Sequence, residues 1–115
     1  MPHLTLVLPI LPGKLEAVKQ ACAMAFGVRR GEYEQSRQRL GITSETLWLA
    51  AQGNFLFWLL ETGDPREVLS RLGASDLSFD RWFIRHVREA HGLDLSHWPA
   101  AADEQFEQIF VWHRD

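Results

Sequence analysis

The feature that most constrains this chain is a run of six apolar residues, 55 to 60, which follows the turn Gln52-Gly53-Asn54. A second apolar and aromatic run, 43 to 51, precedes the same turn. Glycine and asparagine accept the positive φ of tight hairpin turns, so we predict two antiparallel strands, Thr43–Ala51 and Asn54–Glu61. Side chains alternate between the two faces of a sheet. The second strand therefore makes both faces apolar.

Other strands and helices are predicted on either side of this hairpin. Apolar residues at 4–10 indicate a first strand and those at 106–112 a last one. After Pro12-Gly13, an apolar stripe predicts one long helix, weakened at Gly27 and ended by Gly41.

Two more helices are predicted between the hairpin and the last strand. The first begins with Asp64 as its N-cap and ends at Gly73. The next is capped by Ser78 and stopped by Gly92. The residues of its apolar stripe are Phe79, Trp82, Phe83, His86 and Ala90.

A chain of 115 residues with this order of elements predicts one domain, residues 1–115. Its fold class is α+β: a ferredoxin-like βαββαβ protomer with a four-stranded antiparallel sheet and its helices on one face. Helices cannot cover both apolar faces, and so large a bare patch is unusual in a monomer. We therefore expect a homodimer that buries the sheet face, with Trp58 or Phe57 near the two-fold axis. The alternative is that the loop 93–102 folds over that face.

Composition and short motifs exclude several classes of function. The net charge of −3 argues against nucleic-acid binding. The apolar run at 4–8 is too short for a membrane span. Cys22 is the only cysteine, which excludes an internal disulfide and fits a cytoplasmic location. His86 and His91 are five residues apart, a spacing that separates them on a helix, so neither a metal site nor a bound cofactor is expected.

Several short motifs occur together along the chain: Pro12-Gly13-Lys14, Gly53-Asn54, Asp64-Pro65, the Ser-Phe-Asp-Arg-Trp segment 78–82, and a last strand that ends in Trp112. In this combination the chain resembles uncharacterised members of the dimeric α+β barrel superfamily, which also contains antibiotic-biosynthesis-monooxygenase-like proteins. The resemblance implies a ferredoxin-like protomer and a barrel-like dimer, and some members of the superfamily have a pocket between sheet and helices. It implies no single reaction, because oxygenases, isomerases and haem-degrading proteins share the fold.

The haem-degrading subgroup can be tested residue by residue. Those relatives use an asparagine on the first strand, a tryptophan on the third and a histidine on a helix. Trp58 and His86 match two of these places, but no asparagine is present in the first strand and Trp58 lies too far from His86 along the chain. A haem-handling function is disfavoured.

His86 is the candidate catalytic residue, because imidazole titrates near neutrality and this one lies on an apolar helix face. Trp82, Trp58 and Trp48 are the candidate ligand-binding residues for a flat apolar molecule. The alternative is that all four are core or interface residues. We expect Glu61, Asp80 and the arginines of the first helix to be solvated surface charges, and Cys22 to be a small core residue. The arginines are Arg29, Arg30, Arg37 and Arg39.

The sequence leaves the function open between two classes, and it does not decide whether the protein is an enzyme. One is a homodimer that binds a small apolar or aromatic metabolite. The other is a cofactor-independent monooxygenase-like or isomerase-like enzyme acting on such a metabolite. An enclosed pocket of roughly 300–1,000 Å³ would favour a ligand site.

Overall fold

The structure, a computed structural model, describes residues 3–65, 67–97 and 109–114. These form an α+β arrangement with three strands and four α-helices. In chain order the elements are β1 (His3–Pro9), α1 (Leu15–Phe26), α2 (Arg30–Arg39), β2 (Ile42–Leu49), β3 (Phe55–Thr62), α3 (Val68–Ala74) and α4 (Ser78–His91). A 3₁₀ turn, Leu95–His97, follows α4. No helix in this part of the chain is long and apolar enough to span a membrane.

The sheet of the described residues is antiparallel with the order β1-β3-β2, so the doubly apolar strand is central. Leu6 and Leu47 both lie opposite Trp58 in the register. The predicted hairpin is confirmed, and Gly53 takes the positive φ of 73° that its turn requires. Of the predicted last strand, residues 106–108 lie outside the described residues and 109–112 are in no strand.

Both faces of β3 are apolar, as predicted. Leu56, Trp58 and Leu60 are buried against the helices, whereas Phe55 and Phe57 on the other face are exposed. The helix-facing side forms the core, and the core residues are Leu4, Leu6, Leu8, Val18, Leu40, Leu56, Trp58, Leu60, Val68, Leu69, Leu72, Ile84, Val87, Ala90 and Leu95. Trp58 therefore cannot lie on the bare face, and that part of the two-fold prediction is wrong.

The prediction of one long first helix is wrong, because the chain breaks into α1 and α2 at residues 27–29. Gly27 ends α1, and a Cβ on it would lie only 2.7 Å from the carbonyl oxygen of Ala23. The predicted weak point is thus a full break. It turns α2 so that its buried side chains, Ser36 and Arg37, face inward.

The start predicted for the second helix is also wrong. The Glu67 amide donates to the Asp64 carbonyl, and α3 begins at Val68, three residues later than expected. The Asp64 carboxylate instead accepts a hydrogen bond from Arg71. α3 also passes through Gly73, whose missing side chain lets the Leu95 carbonyl approach closely.

The third predicted helix is confirmed as α4, and Gly92 closes it with a left-handed φ of 75°. Ser78 is its first residue, but no side chain caps its N-terminus. The buried stripe differs from the predicted one. Phe79 and Ala90 are buried, whereas the side chains of Trp82, Phe83 and His86 are half-buried at its margin.

Candidate functional site

Three of the four predicted site residues line one cavity between the helices and the sheet. Trp82 and His86 approach it from α4, and Trp58 from β3. Trp48 lies on the opposite face of the sheet, where it is exposed and contacts Phe57 edge to face. The structure therefore does not bring Trp48 together with the other three.

The cavity is small and almost entirely apolar. Its volume is about 40 Å³, which is room for about two or three water molecules. The apolar part of its wall consists of Leu8, Val18, Ala21, Cys22, Ala25, Phe26, Leu47, Leu56, Phe83 and Val87. An apolar cavity that admits benzene is larger, on the order of 150 Å³. A ring-sized ligand must therefore displace a side chain of the wall.

One wall of the cavity is a buried carboxylate that the sequence analysis missed. Glu45 on β2 accepts hydrogen bonds from the Tyr33 hydroxyl at 2.7 Å and from the Trp58 indole nitrogen at 2.7 Å. Burial, followed by the charge of Glu45, raises the pKa of Tyr33. Strand periodicity could have indicated this burial. Glu45 and Leu47 are two residues apart on β2, so their side chains lie on the same face of the sheet, and Leu47 packs against the core.

Arg37 completes the coordination of this carboxylate. Its Nε and Nη2 lie 2.8 and 3.3 Å from the two oxygens of Glu45, and the side chains are only 7% and 4% exposed. The guanidinium also lies 4.9 Å from the Tyr33 ring centroid and 4.7 Å from that of Phe83. The prediction of a solvated arginine face is therefore wrong for Arg37. With four donors around it, the Glu45 carboxylate has no lone pair left to act as a base.

Asp80 is also buried, so the prediction that it is a surface charge is wrong. Its carboxylate accepts hydrogen bonds from Ser36 at 2.5 Å, Ser75 at 2.6 Å and Arg39 at 2.6 Å. Burial alone would raise the pKa of Asp80, but these hydrogen bonds outweigh it and lower the pKa. Ser36 also accepts from Arg37, so the two buried carboxylates belong to one network that ties α2 to β2 and α4.

His86 lines the cavity, and neither of its ring nitrogens has a hydrogen bond among the described residues. Its ring stacks on Trp82 at 6.3 Å and meets His91 edge to face at 5.8 Å. Within the described part of the chain, no hydrogen bond reaches it. Burial and the neighbouring His91 lower the pKa of His86, with Glu89 opposing them. At pH 7 the ring is a neutral imidazole with a free acceptor nitrogen.

His91 has a structural partner. Its Nδ1 lies 2.7 Å from the carbonyl oxygen of Pro9, and since a carbonyl only accepts, this nitrogen carries the proton. Burial lowers the pKa of His91, partly offset by that hydrogen bond. The five-residue spacing was expected to separate His86 from His91, but their rings touch because His91 turns inward at the last turn of α4.

Outside the cavity, an open groove of about 250 Å³ runs between α1 and α4. Its wall includes Gln20, Arg85 and Glu89. The groove and the inner cavity share three wall residues, Ala21, Trp82 and His86. The Trp82–His86 stack thus separates solvent from the apolar interior.

The described residues support neither metal binding nor catalysis by a thiol nucleophile. No group of three His, Cys, Asp or Glu side chains there is placed to hold a metal ion. Cys22 lines the cavity, but burial and the charge of Glu45 raise its pKa, so the thiol is not activated as a nucleophile.

Comparison with protein-family models, with curated proteins and with solved structures finds no match to this chain. The resemblance to the dimeric α+β barrel superfamily stays a prediction from the sequence.

Proposed function

We propose that this protein is a homodimer that binds a small, mostly apolar or aromatic molecule between α1 and α4, with His86 as its polar contact. The observation that carries the proposal is the position of His86. It is a neutral imidazole without a hydrogen bond from the described residues, and it stands between an apolar cavity and an open groove. Ligand sites commonly combine apolar walls with a few polar groups that fix orientation.

The volumes of the inner cavity and of the open groove limit how such a ligand can bind. The inner cavity is too small for an aromatic ring, whereas the groove outside it has room for one. We infer that the ligand lies in the groove and inserts its apolar end when Trp82 or His86 turns aside. The Glu45–Arg37 pair behind the cavity is fully hydrogen-bonded and holds the wall in place.

The protomer proposed here is ferredoxin-like. The β1-β3-β2 order of the described residues supports this, as does a core in which α1, α3 and α4 pack on one face of the sheet. The bare face with Trp48, Phe55 and Phe57 supports the dimer. A lone free thiol, Cys22, suits a reducing compartment such as the cytoplasm.

Indole is a suitable probe because it is small, flat and carries one hydrogen-bond donor. We expect ¹H–¹⁵N spectra of the protein titrated with indole to change at α1 and α4 around Ala21 and His86. Ala21→Phe should abolish these changes because it fills the groove, and Ala23→Phe, at an exposed position of the same helix, should not. Shifts that survive in Ala21→Phe, or an absence of shifts at millimolar indole, would contradict the proposed site.

The dimer is tested separately. Gel filtration with light scattering at micromolar protein should give about twice the chain mass of 13.3 kDa. A monomeric mass would contradict the dimer and leave the indole result standing.

A second candidate is an enzyme of the isomerase-like kind, favoured by the lowered pKa of His86. A neutral imidazole beside an apolar ligand can take a proton from a carbon next to a carbonyl and return it to a neighbouring atom. Incubation with an aryl ketone in D₂O should then place deuterium at that carbon. Exchange that is equally fast with His86→Gln excludes this candidate.

A further inference from the structure

Among the exposed apolar side chains of the described residues, two groups bear on the dimer. The first is the bare side of the sheet, where Trp48, Phe55 and Phe57 are 40–49% exposed. Trp48 and Phe57 are register partners, and their rings meet at 5.6 Å, so the three form one continuous patch. Glu61 follows Phe57 on the same face at even spacing, at one end of the patch.

The second surface is the C-terminal segment Ile109–Trp112. Its four apolar side chains are 57–88% exposed, so the segment does not lie on the sheet of its own chain. In an extended segment, alternate residues such as Phe110, Trp112 and Arg114 project to one side. That side is apolar for two residues and then positively charged.

The areas show why the two surfaces belong together. With about 150–250 Å² per aromatic side chain, the exposed sheet aromatics offer only roughly 300 Å², and the C-terminal segment adds roughly 500 Å². A stable interface needs about 800 Å² from each partner. The sheet face alone falls short of this area, whereas both surfaces together reach it.

We propose that in the dimer the segment Ile109–Trp112 of each copy lies across the Trp48–Phe55–Phe57 face of the other copy. A two-fold arrangement buries both surfaces of both chains at once, which a face-to-face contact of the sheets alone does not do. The order of charges fits as well, since Arg114 follows the apolar residues of the segment and Glu61 those of the face. This inference rests on the proposed homodimer.

Disulfide trapping between copies tests the arrangement. In a Cys22→Ala background, Phe57→Cys and Phe110→Cys chains carrying tags of different size are refolded together and oxidised. The mixture should give a cross-linked heterodimer on a non-reducing gel, and each variant alone should give little product. Met24→Cys, an exposed position on α1, replaces Phe57→Cys as the control for random collision and should not cross-link to Phe110→Cys.

Four results would overturn the inference. Efficient self-linking of Phe57→Cys would mean that the two sheet faces meet directly. If a chain that carries both Phe57→Cys and Phe110→Cys forms the disulfide only within itself, the C-terminal segment lies on the sheet of its own chain. A dimeric mass without a Phe57–Phe110 cross-link contradicts this arrangement alone, whereas a monomeric mass contradicts the homodimer itself.

A second variant checks the energetics independently of thiol chemistry. Removing residues 109–115 should shift the mass from dimer towards monomer while the far-ultraviolet circular dichroism of the remaining helices and strands is kept. A truncated chain that is folded and still fully dimeric at micromolar concentration would contradict the proposal.

Discussion

Replacing Glu45 with Gln should be among the most damaging single changes of polar side chain in this protein. The carboxylate is 4% exposed and accepts from Tyr33, Trp58 and both donors of Arg37. Glutamine keeps the shape but replaces one oxygen by an NH₂ group that faces donors, and it leaves the Arg37 guanidinium without a counter-charge. Breaking one partner of a buried ion pair costs about 3–5 kcal/mol in the free energy of unfolding. That is a large share of the roughly 5–15 kcal/mol that stabilises a domain.

Urea denaturation followed by circular dichroism measures this loss. With a slope of about 2 kcal/mol per molar urea, the midpoint should fall by roughly 2 M. Glu32→Gln is the matched control, since Glu32 pairs with Arg29 in the same way but at the surface, and it should cause little or no loss. The double variant Glu45→Leu with Arg37→Leu should recover part of the loss, because no buried charge is left unpaired. The recovery is incomplete because the Tyr33 hydroxyl and the Trp58 indole NH lose their acceptor. If Glu45→Gln loses less than about 1 kcal/mol, the carboxylate is hydrated and the account of this wall is wrong.

Three further predictions concern other parts of the fold. Gly73→Ala should cost about 1–3 kcal/mol by chemical denaturation, because its Cβ would lie 2.5 Å from the Leu95 carbonyl oxygen; Gly31→Ala, with no atom within 4 Å of its Cβ, should be neutral or stabilising. Asp64→Ala should cost less than about 0.5 kcal/mol, because Asp64 forms only a half-exposed pair with Arg71, and a loss near 1 kcal/mol would restore it as an N-cap. The free energy of unfolding should fall as the pH drops below about 6.5, because the pKa values of His86 and His91 are lowered in the folded chain and the unfolded chain therefore binds protons first. His91→Gln should reduce this dependence of stability on pH, and an unchanged dependence would contradict the prediction.

Local patterns in the sequence predict most of the secondary structure. The hairpin follows from Gly53, and the strand with two apolar faces follows from the unbroken apolar run Phe55–Leu60, because successive side chains of a strand point to opposite faces. The sequence indicates the break between α1 and α2 only as a soft centre, because helix propensity does not show that the Gly27 backbone leaves the helical conformation, in which a Cβ would meet the Ala23 carbonyl. The late start of α3 does not follow from local sequence, because Asp64, Pro65 and Glu67 suit a helix N-terminus, whereas the Glu67 amide donates to the Asp64 carbonyl ahead of the helix.

The candidate site could likewise be predicted only in part. Trp58, Trp82 and His86 line one cavity because helical and strand periodicity direct all three towards the core side of the sheet. Trp48 lies on the other face of the sheet, because its position on β2 is an odd number of residues from Glu45 and Leu47, whose side chains face the helices. Strand parity indicates the burial of Glu45, but that of Asp80 could not be assigned from local sequence, because its partners Ser36 and Arg39 lie more than forty residues away. Taken by itself, each of these charged side chains is of a type that normally lies on the solvated surface.

The central claim is that an apolar molecule enters between α1 and α4 against His86, and a crystal structure of the protein soaked with indole tests it most directly. The claim predicts density for a flat ring in the groove between Ala21 of α1 and Trp82 of α4, with the indole NH within hydrogen-bonding distance of a His86 ring nitrogen. Trp82 or His86 should be rotated relative to the structure without indole. Density elsewhere only, or an unchanged Trp82–His86 stack over a closed cavity with His86 hydrogen-bonded to backbone, would contradict it.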